Sequence, residues 1–237
     1  MTVVVTGASR GLGRAVARLF AEEGAHVVGC ARSQDELSTL AADIEAETNG
    51  TMDTIRADVR DEHDLERLME TASRGGENGG IEVLVANAGV YHGGGGETPL
   101  HEESYSAFDD HLRTNARGVF GAVKEALPHA TDDARMLVPT GSIAREAKPG
   151  YGSYAVSKAT SEAIVRGFAV DTDVTTGCLD VGVLATGLSS PDDDPADVQG
   201  REPSDVAPMV LWAARELPAE ELDGNVVELK EWRRATR

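Results

Sequence analysis

The sequence predicts an α/β fold: one doubly wound, parallel sheet of about seven strands with helices on both faces. Short runs rich in valine, isoleucine and threonine alternate with longer helix-patterned segments along almost the whole chain, which is typical of consecutive β-α-β units. The 237 residues suffice for one such domain with its own buried core, so residues 1–237 are predicted to form a single domain.

This alternation predicts the elements in order. In the first half, β-branched runs predict strands at 3–6, 26–31, 54–57 and 81–86. The segments between them predict helices at 11–23, 34–48 and 62–73. In the second half, helices are predicted at 104–127, 154–170 and 203–214, and strands at 135–140, 175–181 and 225–229. The glycine-rich runs 75–80 and 93–96 predict flexible connections, and the acidic stretch 189–198 predicts a solvated loop or lid.

Acidic residues strongly outnumber basic ones, 41 against 22, which gives a formal net charge of −19. Such a charge disfavours binding to nucleic-acid phosphates and to anionic membrane surfaces. Only four of the basic residues are lysines. An acidic, lysine-poor surface resembles that of proteins adapted to high salt, where screening weakens repulsion between like charges, so we predict a halophilic composition. An ordinary acidic cytosolic protein is the alternative.

The two cysteines, Cys30 and Cys178, each lie in an apolar run that is predicted to be a strand, so we expect reduced, buried thiols. The chain enters a strand directly after Met1 without a signal-peptide pattern, and no apolar run approaches membrane-spanning length. A cytoplasmic location without a membrane segment is therefore expected. No cluster of histidine, cysteine or acidic residues has metal-ligand spacing, so no metal site is predicted.

A glycine-rich turn, residues 6–13, joins the first predicted strand to the first predicted helix. Backbone N–H groups and the helix dipole favour an anion at such a place. Gly7 permits a tight turn, Gly11 permits the close approach of a pyrophosphate, and Gly13 lets the helix pack near the sheet. We predict a dinucleotide site that includes Gly7, Ser9, Arg10, Gly11, Leu12 and Gly13. A turn of this kind without a ligand is the alternative.

A different enzyme class shares part of this pattern. Residues 7–11 also match the Gly-x-Ser-x-Gly nucleophile turn of α/β-hydrolases, with Ser9 as the nucleophile, and residues 92–95 resemble their oxyanion loop. In those hydrolases the serine follows several strands and the oxyanion loop precedes it, whereas here Ser9 follows the first strand and the glycines come later. The order of the motifs therefore disfavours a hydrolase.

Tyr154 and Lys158 lie four residues apart and are predicted to share one face of a helix. A tyrosine is a poor acid–base catalyst at neutral pH until a nearby cation favours its phenolate, and Lys158 is placed to supply that charge. The pair therefore predicts an acid–base site. The alternative is a surface tyrosine beside a solvated lysine.

This pair ends an ordered series of motifs. Residues 6–13, residues 87–89, Asn115, Ser142 and the Tyr154/Lys158 pair resemble, in this order and over nearly the whole chain, the short-chain dehydrogenase/reductase family. The resemblance implies a Rossmann-like fold and an enzyme that transfers a hydride between a nicotinamide cofactor and a carbonyl or alcohol.

In that family a tyrosine exchanges a proton with the substrate oxygen, a lysine lowers the pKa of this tyrosine and binds the nicotinamide ribose, and a serine polarises the carbonyl. By match, these roles fall to Tyr154, Lys158 and Ser142. Thr140 is the alternative for the serine, because the interval from Ser142 to Tyr154 is one residue shorter than in the family. Asn115 matches the asparagine that holds a water in a proton relay.

Three further segments match family contacts with the cofactor: an adenine contact, a segment beside the central strand, and a nicotinamide-binding segment. In order, these are Asp58 and Val59; Asn87, Ala88 and Gly89; and Gly182, Val183 and Thr186. The last segment lacks the proline that the family usually places before its glycine.

The choice of nicotinamide cofactor depends on the end of the second strand, where an acid would bind the adenosine ribose and an arginine would bind a 2′-phosphate. No acid is present there, and Arg32 follows the strand. Arg10 lies inside the glycine turn, so two guanidiniums could meet one phosphate. NADP(H) is therefore the predicted cofactor.

The resemblance leaves the substrate open beyond a small-molecule carbonyl or alcohol, and implies a homodimer or homotetramer. A 3-oxoacyl thioester reductase is the alternative for the specific activity, and a non-catalytic NADP-binding regulator is the alternative from another class. Retention of Asn115, Ser142, Tyr154 and Lys158 together disfavours the regulator.

Overall fold

The computed structural model describes residues 1–75, 79–185 and 200–237. Its strands are β1 (Thr2–Thr6), β2 (His26–Ala31), β3 (Thr51–Arg56), β4 (Ile81–Val85), β5 (Ala130–Thr140), β6 (Thr175–Asp180) and β7 (Val226–Glu228). Its helices are α1 (Gly11–Glu22), α2 (Gln34–Glu47), α3 (Glu62–Arg74), α4 (Tyr105–His111), α5 (Gly118–Ala126), α6 (Gly152–Asp171), α7 (Pro203–Arg215), α8 (Ala219–Leu222) and α9 (Leu229–Ala235). A π-helical turn, Leu112–Arg117, joins α4 to α5, and a 3₁₀ turn, Ser142–Ala144, follows β5.

The seven strands form one sheet in the order β3-β2-β1-β4-β5-β6-β7, and every neighbouring pair is parallel. Because side chains alternate across a strand, Val3 and Val5 pack on one face of the sheet and Val4 on the other. Helices α1, α2 and α7 cover the first face, and α3, α5 and α6 cover the second. The predicted doubly wound sheet with helices on both faces is confirmed.

The strand order reverses direction between β1 and β4, since β2 and β3 lie on one side of β1 and β4 to β7 on the other. In open parallel sheets, ligands bind in the crevice beyond the carboxyl ends of the strands at this reversal. The segments that follow β1, β4, β5 and β6 therefore define where a site belongs.

Several boundaries differ from the prediction. β3 begins at Thr51, not at 54, because it is the edge strand and its exposed Thr51 and Asp53 hide it from a search for apolar runs. β5 begins at Ala130, not at 135, and its first four residues are partly or fully exposed. The last strand ends at Glu228, since a capping box between Glu228 and Glu231 starts α9 there. The short helices α8 and α9 were not predicted.

The cysteines are free and buried, as expected. The acidic stretch 189–198 lies outside the described residues, as does part of the glycine run 75–80. Within the described ranges, no helix is both long enough and apolar enough to cross a membrane.

Candidate active site

The glycine turn between β1 and α1 is too tight for side chains at its key positions. Gly7 and Gly11 have φ angles of 68° and 55°, which favour glycine. A Cβ on Gly13 would lie 2.2 Å from the carbonyl oxygen of Gly7. The Asn87 amide donates to the carbonyl oxygens of Thr6 and Gly7 at 3.1 and 3.3 Å, so the end of β4 holds the turn in shape.

The N-terminus of α1 differs from those of the next two helices. The side chains of Ser33 and Asp61 accept hydrogen bonds from the first N–H groups of α2 and α3. At α1, Arg10 occupies the capping position, no described side chain accepts from the helix N–H groups, and the first turn holds no acid. Unsatisfied N–H groups at the positive end of a helix make a site for an anion such as a phosphate.

Ser9 and Leu12 are nearly buried beside this turn, at 8% and 5% exposure. Arg10 and Arg32 are exposed. Neither guanidinium forms an ion pair with any side chain that the structure describes. Both are therefore free, within that part of the chain, to meet a phosphate placed beyond the turn.

The predicted adenine contact follows β3. Three hydrogen bonds from the Arg60 side chain to the Asp58 carboxylate, at 2.6 to 3.0 Å, lower the pKa of Asp58. The backbone N–H of Asp58 donates to Asp64 at 2.9 Å. Val59 is buried against Gly118, where a Cβ would lie 2.8 Å from the Val59 methyl group. Asp58 is thus held by protein contacts of its own.

The segment 87–89 leads from β4 into the site. The N–H of Ala88 donates to the Thr6 hydroxyl at 3.0 Å. A Cβ on Gly89 would lie 3.3 Å from the Asn115 amide oxygen. The segment therefore connects the glycine turn with the helix that carries Asn115.

Asn115 lies in the π-helical turn and is buried. Its amide nitrogen donates to the Val90 carbonyl and to the Ser157 hydroxyl, both at 2.9 Å, and its amide oxygen accepts from the Val90 N–H at 2.8 Å. Its backbone carbonyl accepts from the Ser161 hydroxyl at 2.9 Å. The side chain of Asn115 is thus fully used in holding the segment after β4 against α6.

Tyr154 and Lys158 lie in the first turns of α6. The Lys158 ammonium is 5.9 Å from the Tyr154 ring centroid and donates to the carbonyl oxygen of Pro139 at 3.1 Å. Burial lowers the pKa of Lys158 to about 8 and raises the pKa of Tyr154 to about 12. The pKa of Tyr154 is raised first by burial and then by the neighbouring Tyr91 and Tyr151, whereas the spacing to Lys158 predicted a lower value.

Ser142 and Thr140, the two candidates for the family serine, differ in their hydrogen-bond partners and in their exposure. Thr140 is 2% exposed, and its hydroxyl donates to the Glu162 carboxylate at 2.9 Å. The Ser142 hydroxyl accepts from the Lys148 ammonium at 3.0 Å and donates to Glu146 at 3.2 Å. The partly exposed Ser142 is therefore the better candidate for contact with a substrate.

Gly182 follows β6 with a φ of 69°, and its N–H donates to the Asp180 carboxylate at 3.0 Å. Val183 is 60% exposed. Thr186, the last residue of the predicted nicotinamide-binding segment, lies outside the described residues.

Sequence reasoning missed a buried network behind Tyr154. His111 and Ser153 are fully buried, and the Glu103 side chain is 3% exposed. The His92 N–H donates to His111 Nε2 at 2.9 Å, so the neutral ring carries its proton on Nδ1, which lies 2.6 Å from the Ser153 hydroxyl and 3.3 Å from Glu103. Ser153 N–H also donates to Glu103. These contacts anchor the first turn of α6, directly beside Tyr154.

Aromatic rings form a second feature that the sequence did not predict. The Tyr91 ring lies 4.4 Å from the Tyr154 ring between centroids, and the Tyr91 hydroxyl donates to the Gly94 carbonyl at 2.9 Å. The Tyr151 ring is parallel to that of Tyr91 at 6.3 Å. In the sequence, the one sign that Tyr91 lies near the site is its position just after residues 87–89.

A family model described as short chain dehydrogenase matches residues 1–195 of the chain. The chain belongs to this family. The motifs that resemble this family lie at the sheet edge where the strand order reverses. The hydrolase alternative at Ser9 has no further support.

This short-chain dehydrogenase is 30% identical over 249 residues to NADPH-dependent aldehyde reductase 2, chloroplastic, of Arabidopsis thaliana, a match that covers 94% of the chain and 90% of the relative. It spans only 17% to 63% of the length of three other curated relatives.

Solved structures resemble the fold over its whole length. An alcohol dehydrogenase of the archaeon Thermococcus sibiricus, complexed with 5-hydroxy-NADP, is 28% identical with a TM-score of 0.82, covering 96% of this chain and 94% of that one. A short chain dehydrogenase of Burkholderia cenocepacia in complex with NADP is 26% identical with a TM-score of 0.82, covering 97% and 96%. In the part of the chain described, no group of three histidine, cysteine or acidic side chains is placed to hold a metal ion.

Proposed function

We propose that the protein is an NADP(H)-dependent reductase of small carbonyl compounds, with Tyr154 as the proton donor. The observation that carries this proposal is the placement of Tyr154 and Lys158 at the start of α6, beside the end of β5 and at the same sheet edge as the uncapped N-terminus of α1. A phosphate-binding end and an acid–base end of one crevice are what a nicotinamide-dependent reduction requires.

The residues around the glycine turn fit NADP(H). The free N–H groups of α1 suit the pyrophosphate. Gly7 and Gly13 keep the turn tight, because a Cβ on either would meet the turn itself or the segment after β4. Arg10 and Arg32 supply two guanidiniums for a 2′-phosphate. When bound, the nicotinamide supplies the hydride.

The remaining predicted contacts lie along the same edge of the sheet. Ser9, Gly11 and Leu12 complete the turn, Asp58 and Val59 would border the adenine, residues 87–89 would lie under the cofactor, and Gly182, Val183 and Thr186 would approach the nicotinamide.

The side chains favour reduction over oxidation. A phenol with a pKa of about 12 is protonated at neutral pH, so Tyr154 is ready to donate a proton to the oxygen of a carbonyl as negative charge develops there. Ser142 would donate a second hydrogen bond to that oxygen, and this requires its hydroxyl to leave Glu146. Lys158 would stabilise the developing charge and bind the ribose. Asn115 holds α6 in place through its hydrogen bond to the Ser157 hydroxyl.

Aldehydes are the first substrate class to test. A relative that aligns with 94% of the chain is named as an NADPH-dependent aldehyde reductase, and the Tyr91 ring beside Tyr154 narrows the space around the reacting group.

The test is a panel of aldehydes and ketones with NADPH, in molar KCl, comparing the wild type with Tyr154→Phe. We expect turnover of at least one aldehyde and a loss of about 10²–10⁴-fold in kcat for Tyr154→Phe. Tyr105→Phe is the matched control, because the Tyr105 side chain is 92% exposed at the start of α4. Tight NADPH binding without turnover of any carbonyl would favour the non-catalytic regulator instead.

Cofactor choice is tested separately with Arg10→Ala/Arg32→Ala. Loss of two charge-assisted contacts should raise the KM for NADPH by at least about tenfold and leave that for NADH nearly unchanged. Arg14→Ala is the control, since Arg14 is an exposed arginine of α1 that pairs with Asp43. Equal effects on the two cofactors would refute the NADP assignment.

A further inference from the structure

We propose that Arg145 is a positioning residue that aligns the three parts of the active site with one another: the turn that holds Ser142, the helix that holds Tyr154 and Lys158, and the strand end that leads to Gly182. This inference rests on the hydride transfer proposed above. It concerns a loop whose role the sequence did not indicate.

The Arg145 guanidinium binds two carboxylates from different elements. One Nη group binds the Glu162 carboxylate on α6, and the other binds the Asp180 carboxylate at the end of β6. Glu162 is 3% exposed and Asp180 is 11% exposed, whereas Arg145 is 35% exposed. Arg145 therefore supplies a positive charge that both acids share in a place with little water.

Each contact leads to a different part of the site. Glu162 lies one helical turn beyond Lys158, and the second oxygen of Asp180 accepts from the Gly182 N–H. The backbone N–H groups of Arg145 and Glu146 donate to the Ser142 carbonyl at 2.9 and 2.8 Å. The orientation of the Ser142 turn is thus coupled to α6 and to β6 through one side chain.

The chemistry of the guanidinium suits this task. Its planar fork can serve two acceptors at once with fixed directions, whereas a lysine at the same place offers one point charge. Without Arg145, two nearly buried carboxylates would lose the cation that they share, and the segments that carry them would no longer be held together. The titratable groups that face Lys158 include the Glu162 carboxylate on its own helix and the Cys178 thiol on β6, so such a movement would also change the surroundings of Lys158.

The test compares Arg145→Gln and Arg145→Lys with a matched control, Arg18→Gln. Arg18 also binds two carboxylates, Glu22 and Glu47, at 38% exposure, but it lies on the outer surface of α1. We expect Arg145→Gln to lower kcat by about 10²-fold with less than about threefold change in the KM for NADPH, because small misplacements of reacting groups are costly. Arg145→Lys should lie between the two, and Arg18→Gln should keep wild-type kcat.

A triple variant, Arg145→Gln/Glu162→Gln/Asp180→Asn, distinguishes a positioning role of Arg145 from a merely structural one. It removes all three charges, so no buried charge is left unpaired. We expect this variant to regain thermal stability but not kcat. If kcat returns with stability, or if Arg145→Gln loses no more kcat than Arg18→Gln, the inference is wrong.

A readout independent of turnover is hydrogen exchange in the unliganded protein. Arg145→Gln should speed exchange in the 142–146 turn and at Gly182, and Arg18→Gln should not. Wild type that binds NADPH but reduces no carbonyl would contradict the proposed function, and exchange would still decide this inference: unchanged exchange at both segments overturns it, and faster exchange at both supports it.

Discussion

The ammonium of Lys158 lies 5.9 Å from the ring centroid of Tyr154 and is anchored by a hydrogen bond to the Pro139 carbonyl at the end of β5. Burial moves the pKa values of the two groups in opposite directions, to about 8 for Lys158 and about 12 for Tyr154. Between these values the phenol keeps its proton while the ammonium loses its own. Both groups are protonated only below a pH of about 8.

The first prediction concerns the pH dependence of carbonyl reduction. As pH rises through about 8, Lys158 loses the charge that stabilises the developing alkoxide, while Tyr154 remains protonated. We expect kcat/KM for reduction to be level below this pH and to fall about tenfold per pH unit above it. A pH–rate profile of the wild type measures this directly.

Glu162→Gln is the companion variant for that profile. The Glu162 carboxylate favours the charged form of Lys158, and burial disfavours it. Removing the carboxylate should lower the pKa of Lys158 further and move the alkaline limb to lower pH. A limb that stays in place, or moves to higher pH, would exclude Lys158 as its source.

A second prediction concerns Gly13. An alanine there would place its Cβ 2.2 Å from the Gly7 carbonyl oxygen, which belongs to the glycine turn, and 2.5 Å from the Asn87 amide nitrogen, which holds that turn by hydrogen bonds. Gly13→Ala should therefore distort the turn and weaken NADPH binding by at least about tenfold in Kd, measured by the fluorescence of bound NADPH. Gly167→Ala, where a Cβ on α6 would meet nothing within 4 Å, should bind NADPH as the wild type does. Similar Kd values for both variants would contradict this role of the turn.

A third prediction addresses the buried network of His111. Replacing His111 by alanine leaves Glu103, the Ser153 hydroxyl and the His92 N–H without their shared partner. We expect the free energy of unfolding to fall by at least about 2 kcal/mol, measured by urea denaturation at pH 7. His101→Ala is the control, because His101 is 81% exposed, and it should change stability by less than about 0.5 kcal/mol.

The same network has a pH signature. Burial lowers the pKa of His111 below its ordinary value of 6.5, so the unfolded chain takes up a proton there before the folded protein does. Wild-type stability should therefore fall as pH decreases below about 6.5, and the difference from His111→Ala should shrink. A constant difference from pH 7 to pH 5 would mean that His111 does not titrate on unfolding.

A fourth prediction concerns salt. With a formal net charge of −19, the folded chain is subject to strong repulsion between carboxylates, which counter-ions screen. The melting temperature should rise between low and molar KCl. A melting temperature that is flat or falls over this range would show that the composition is merely acidic.

The sequence alone determined the parts that depend on neighbouring residues. Alternating β-branched and helical segments predicted a parallel sheet with helices on both faces, and the structure has all seven strands. A four-residue spacing was enough to place Tyr154 and Lys158 on one helix face, and the glycine spacing was enough to place a tight turn at the first helix. These features are encoded by periodicity within one element or by the conformational limits of single residues.

Only the tertiary structure decided which distant residues complete the site and how burial acts on it. Arg145 meets partners 17 and 35 residues away, and His111 meets Ser153 at a separation of 42. No local pattern encodes such contacts, because they arise when separate elements pack. The pKa of Tyr154 likewise differs from the value expected from its lysine neighbour, since desolvation depends on the whole surrounding core and not on spacing along the chain.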